Sequence, residues 1–291
     1  MTPPLLSRRR FVATLPAAMA SLTLLRGSRL AAANPAPRVG CQANGFPLKP
    51  NDFPALLRAL TTMKELGYTG FECNIRFVES EFERLAEARK RIEDTGVAFI
   101  GTHTSMQLAK PDTFPRWIEK VAGLGAACIV MSGAGLAADG NFSRDALLKK
   151  AASLNALGQT CRAGGLRLAY HNHNPEFARR NAEIEGLAEA TNPDAVEFLL
   201  DAGHARLGGG DPAAFMRKFS RRILGCHLKT YSGAVQVPLG QGDWGFEDLA
   251  TAIKSTNWAG WLITEEGGGP RTGNTAALGP DRAYIRKVFG V

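Results

Sequence analysis

LRLAYHNHNPEF, residues 166–177, is the stretch whose reading decides the fold. Leu166 to Tyr170 form an apolar run that reads as a buried strand. The run spills at once into a loop carrying His171, His173 and Glu176. Two imidazoles and a carboxylate at the end of a buried strand are either a site or a costly accident. The whole chain has only five histidines, so placing two of them one residue apart calls for a reason.

Working outward, the same kind of run recurs along the chain: RVGCQ, GFECN, AFIGTH, ACIVMSG, then LRLAYHN, VEFLLDAGH, ILGCHLK and WLITEE. Amphipathic segments separate them. FPALLRALTTMKEL, for example, places Phe53, Leu56, Leu57, Leu60 and Met63 at helical spacing. Ser143 reads as the N-cap of the helix that Gly164 and Gly165 close, and Asp243 as a cap ahead of FEDLATAIK. Near-continuous apolar strands alternating with helices mean parallel strands covered on both faces. Eight such units in residues 34–291 match an α/β fold of the closed (β/α)8 TIM barrel type, a single domain that typically needs about 250 residues. The competing open doubly wound sheet usually carries a glycine fingerprint after its first strand, and CQANGFPLKP has no GxGxxG.

In such a barrel the chemistry gathers at the C-terminal ends of the strands. His103, His171 and His227 close or nearly close three of the runs, His173 follows His171, and His204 follows Asp201 in LLDAGHA. None falls on an expected helix. Glu72, Asp201, Glu265 and Glu266 end strands at the same level, and Glu176 lies in the loop after the fifth. Imidazoles and several carboxylates on one rim form a ligand set for one divalent metal ion such as Mn, Co, Mg or Zn.

Residues 1–33 read differently. Arg8, Arg9 and Arg10 precede a short apolar run and small residues follow, which is the layout of a secretory signal. The order Ser7, Arg8, Arg9, Phe11 resembles a twin-arginine signal, with cleavage expected near Ala33 and a periplasmic or secreted mature protein. A membrane anchor is the alternative, but Pro16 breaks the run. Five arginines and no acid leave with this segment, so the formal charge of +8 falls to +3. That modest charge argues against nucleic acid as a partner. The five cysteines show no CxxC and no disulfide framework.

Taken in order, YHNHNPEF, LLDAGHA, CHLKTY, PLGQGDWGF and LITEE resemble the sugar phosphate isomerase/epimerase family, xylose isomerase-like barrels, and within it the YHNHxxEF subgroup. The resemblance implies one divalent metal held by Asp201, His227, Glu265 and a fifth-strand residue. Where many members have Glu, this chain has His171. Either His171 binds the metal or Glu176 reaches in from the loop, and His171 is preferred. The resemblance also places His204 on substrate, with His103, His173 and Lys229 holding sugar hydroxyls or a carbonyl oxygen. HLKT stands in place of the commoner HLKD, which leaves Lys229 without its usual neighbour.

The chemistry so implied is removal of a proton beside a carbonyl through an enediolate, by a sugar isomerase or epimerase. Glu265 would be ligand and base, with Glu176, or neutral His171 or His173, as the second base. Expulsion of a leaving group from the same site would make a keto-sugar lyase or dehydratase. A non-catalytic sugar-binding barrel and an apurinic endonuclease are the remaining readings. The latter would need an Asp-x-His that TYSGAVQVPLGQGD lacks. The expected partner is a small-molecule sugar, with no stable membrane association once the signal is removed and with a homodimer allowed for.

Overall fold

All eight apolar runs become strands of one parallel barrel. The computed structural model describes residues 36–267 and 274–291; the expected signal at 1–33 lies outside them. The strands are β1 Arg38–Gln42, β2 Gly70–Asn74, β3 Ala98–Ser105, β4 Cys128–Ser132, β5 Arg167–His171, β6 Glu197–Asp201 and β7 Ile223–Leu228. A short hairpin, β8 Thr230–Ser232 and β9 Val235–Val237, precedes β10 Trp261–Thr264. The barrel closes in the order β1-β10-β7-β6-β5-β4-β3-β2, the single-domain (β/α)8 arrangement expected. The helices are α1 Phe53–Glu65, α2 Leu85–Asp94, α3 Phe114–Gly123, α4 Arg144–Ala163, α5 Ala178–Ala190, α6 Ala202–Leu207, α7 Pro212–Phe219, α8 Glu247–Thr256 and α9 Thr275–Phe289. Among the described residues no helix is long and apolar enough to cross a membrane.

Local chemistry sets the helix ends. Asp52 Oδ1 accepts from Ala55 N at 3.0 Å to start α1, and Ser143 Oγ accepts from Ala146 N at 3.1 Å to start α4. Phe53, Leu56, Leu60 and Met63 of α1 are buried, as their spacing requires, while Leu57 is only half-buried. The expected cap by Asp243 is not what forms. α8 begins at Glu247 behind Phe246, and Asp243 Oδ2 instead accepts from Gly233 N at 2.7 Å. The reason is the β8–β9 hairpin, whose turn offers Asp243 a backbone donor nearer than the helix.

Two apolar layers result. Inward-facing Ile100, Cys128, Val130, Ala169, Leu199, Leu224, Trp261 and Ile263 fill the barrel, and a larger cluster lies between sheet and helices. Trp261 plugs the barrel beneath Gly70, where a Cβ would come within 2.6 Å of the indole. The five cysteines are buried and free, consistent with small apolar fillers.

A buried carboxyl pair ties α9 to the end of β10. Asp281 Oδ1 accepts from Leu239 N at 2.7 Å, and Asn274 Nδ2 donates to Glu266 Oε2 at 2.7 Å. Burial, and then the neighbouring Glu266, push the Asp281 carboxyl up to about 8. A carboxyl that keeps its proton when folded but loses it near the ordinary value of 3.8 when unfolded stabilises the fold at low pH. That contribution declines as pH rises towards 8. Asp281→Asn is therefore expected to remove the fall in melting temperature that this carboxyl causes between about pH 4 and about pH 8, read by thermal unfolding. Parallel curves for parent and variant would show that the pair carries no such linkage.

Candidate active site

The ends of β3, β5, β6, β7 and β10 converge on one mouth. The alternation of side chains along an extended segment explains the HNH spacing. His171 and His173 lie on the same side, with ring centroids 5.0 Å apart. The residue between them, Asn172, is buried and faces β6. Its Nδ2 donates to Asp201 O at 3.0 Å and its Oδ1 accepts from Asp201 N at 2.8 Å.

Four side chains from different strands meet here. His171 Nε2 is 3.3 Å from Asp201 Oδ2 and 3.9 Å from Glu265 Oε2. His227 Nδ1 is 2.7 Å from Glu265 Oε2 and 3.9 Å from Asp201 Oδ2. One donor atom from each of His171, Asp201, His227 and Glu265 lies within 4.8 Å of all the others, the layout of a candidate metal centre. Both ring nitrogens of His171 are buried without a hydrogen-bond partner. Polar atoms left so are costly unless something binds them. Imidazole and carboxylate donors in this number suit a divalent ion.

Charges around the cluster are tightly balanced. Lys229 Nζ is buried 2.7 Å from Asp201 Oδ2 and 2.9 Å from Glu265 Oε2. Burial opposes its charge, but Asp201 and Glu265 hold the ammonium well above its usual range. Burial likewise opposes ionisation of Glu265, yet Lys229 and His227 keep it well below the ordinary carboxylate value. His227 stands between two carboxylates, with Nε2 2.7 Å from Glu72 Oε2. Against burial, Glu265 and Glu72 raise it to about 10. Glu72, fully buried, is drawn down to about 2 by His227 and His103 despite the same burial.

His103, His173 and His204 complete the rim. His103 Nε2 is 2.8 Å from Glu72 Oε2. His173 Nδ1 is 3.0 Å from Gly133 O. Asp201 Oδ1 caps α6 by accepting from His204 N at 2.7 Å, and His204 Nδ1 lies 2.6 Å from Asn174 Oδ1. Burial lowers His204 to about 4 and also lowers His103 and His173, so all three imidazoles are neutral at neutral pH. With His171 and Glu265 they line a cavity of about 280 Å³.

Glu176 lies elsewhere. It is fully buried, accepting from Tyr170 OH at 2.6 Å and from His173 N at 3.2 Å, with Lys150 Nζ 3.6 Å away. Lys150 on α4 also meets Glu183 of α5 and donates to Ala134 O at 2.8 Å. The alternative in which Glu176 reaches the metal position, and its expected part as second base, differ from the geometry, because a tyrosine, a backbone amide and a buried lysine hold its carboxylate. Sequence reasoning placed Glu72 among the acids on the rim without giving it a role, and it missed Asn172 and Lys150. Glu72, expected at the end of its strand, is the third of the five residues of β2.

An eight-stranded barrel with a mouth of imidazoles and carboxylates defines a class of protein, and the comparisons agree. Residues 60–288 match the family model for the xylose isomerase-like TIM barrel, and the chain belongs to that family. It is 30% identical over 153 residues to inosose dehydratase 1 of Bacillus cereus, a match covering 46% of this chain and 51% of that protein. The chain thus spans about half the length of the curated relatives it matches. Among solved structures, L-ribulose 3-epimerase superposes with a TM-score of 0.72 at 19% identity, covering 87% of this chain and 95% of that one. The IOLI protein, solved with a zinc atom, superposes with a TM-score of 0.69 at 14% identity over 87% and 98%. At these identities the superpositions show the fold.

Proposed function

We propose that the chain is a divalent-metal-dependent isomerase or epimerase of a sugar or keto-sugar, acting by proton abstraction beside a carbonyl. The observation that carries this is the convergence of His171, Asp201, His227 and Glu265 with partnerless buried donors among them. Those four would hold the ion. Bound there, a divalent ion would supply Lewis-acid polarisation of a carbonyl and its neighbouring hydroxyl. The zinc atom of the structurally similar IOLI protein supports a metal of this kind.

The protein's own residues do the rest. Glu265, kept ionised by Lys229 and His227, is the base that takes the proton. The neutral imidazoles of His103, His173 and His204 hold sugar hydroxyls at the cavity wall. Glu176 does not line that cavity, so the second proton transfer is assigned to the rim imidazoles, His204 and His173. Glu176 fixes the backbone of His173.

A second reading, loss of water from the deprotonated sugar, is favoured by the inosose dehydratases among the relatives. Incubation in deuterated solvent with a panel of aldoses, ketoses and 3-keto-glycosides separates the readings. Label beside the carbonyl in an isomer of unchanged formula supports isomerisation or epimerisation. A product short of one water supports the lyase. Exchange with none of them would sink both.

Glu72→Gln tests how His227 is held. A carboxylate on the far nitrogen of a metal-binding imidazole orients it and raises its basicity. The variant is expected to weaken binding of zinc or manganese by about 10- to 100-fold in a titration of the apoprotein. An unchanged constant would remove Glu72 from the centre. We further propose export by a twin-arginine-type signal. The N-terminus of the exported form, read by mass spectrometry, is expected near residue 34, and an intact Met1 in that fraction would refute removal.

A further inference from the structure

Resting on that reading, we infer that the sugar taken by this site carries an uncharged, largely apolar substituent, and that a groove beside the cavity holds it. The inner cavity of about 280 Å³ lies at the lower limit for a small-ligand pocket, room for a single sugar ring. Beside it lies a second space of about 530 Å³. Both are lined by Ser105, Ser132 and His173, so the two spaces adjoin at these side chains.

The outer wall differs in chemistry from the inner one. Beyond the junction it consists of Met106, Gly133, Gly135, Ala138 and Pro175, with Gln107 at the edge. Among the described residues, neither space is lined by an arginine or a lysine. A second sugar ring would need hydrogen-bond partners for its hydroxyls, and this wall is poor in polar side chains. A flat apolar group suits it better, and the thioether of Met106 adapts to the shape of such a group. Leu108, on the same loop and lining the inner cavity, is 55% exposed, which extends the apolar surface at the entrance.

The groove is built into the chain. A Cβ at Gly133 would come within 2.9 Å of the Tyr170 hydroxyl, and one at Gly135 within 2.3 Å of Pro175 Cβ. The two glycines let the loop after β4 lie directly against YHNHNPEF. The strand end that carries His171 and His173 thereby also supplies one side of the groove.

The test is binding of phenyl β-glucoside against methyl β-glucoside to the metal-loaded protein, followed by saturation-transfer NMR. The phenyl compound is expected to bind about tenfold or more tighter. Met106→Gln, similar in length but polar, should shrink that preference to about threefold or less. Leu207→Ala, in a neighbouring depression that shares Ala138, His173 and Pro175 with this groove, should leave it in place. Equal affinities, no binding of either glucoside, or a preference lost in Leu207→Ala and kept in Met106→Gln would overturn the inference. Nothing is turned over in this measurement, so its failure is distinct from a failure of deuterium exchange.

Discussion

Glu265→Gln is expected to lower kcat/KM by about three orders of magnitude, the range of positioned acid–base groups. The substitution keeps the shape of the side chain and removes its charge and basicity. Glu265 lies 2.9 Å from Lys229 and 2.7 Å from His227, which keep the carboxylate ionised. An amide there can still fill the space but can accept no proton. Sugar binding should persist, because His103, His173 and His204 are untouched. A barrel that only binds sugars would instead show no turnover in the parent. Activity within tenfold of the parent would take the base role away from Glu265. Metal content measured on the same sample separates loss of the base from loss of the ion.

Asp201→Asn is the second large effect. The residue does two things that an amide divides. Its Oδ1 caps α6, and an asparagine oxygen can keep that bond. Its Oδ2 faces His171 and pairs with the Lys229 ammonium at 2.7 Å, and there the charge matters. Without it the ion would lose one of two carboxylates, and Lys229 would keep only Glu265 as counter-charge. The expected outcome is metal content well below one ion per chain and activity down by about a thousandfold, the scale of lost Lewis-acid assistance. The fold should survive, with a helical signal like the parent's. Full metal occupancy in the variant would place the ion elsewhere, the Glu72, His103 and His227 group being the alternative.

How much of this was readable in the residues follows from what local patterns can encode. The barrel was readable because each strand is a continuous apolar run, and eight such runs with helices between them admit few topologies. The convergence of His171, Asp201, His227 and Glu265 followed from the fold, since every one closes a run and all strand ends share a mouth. The position of Glu176 was not readable. Its sequence distance from His171 is short, but Tyr170, the His173 amide and Lys150 of α4 together turn its carboxylate away from the mouth. Asp243 shows the same thing on a smaller scale. As a helix cap it fitted the local pattern, and a hairpin ten residues upstream claimed it. Glu72 was seen but undervalued, because nothing near it in sequence shows that it lies between His103 and His227.

The side-chain amide of Asn172 acts as one more rung between β5 and β6, reproducing with a side chain what two peptide groups would do. The distance from one donor to the next is thereby set by main chain on both sides and not by the segment that follows. Insertions after residue 174 could reshape what the mouth accepts without moving the ion's anchors. This would let a single scaffold diversify its specificity while its chemistry stays put.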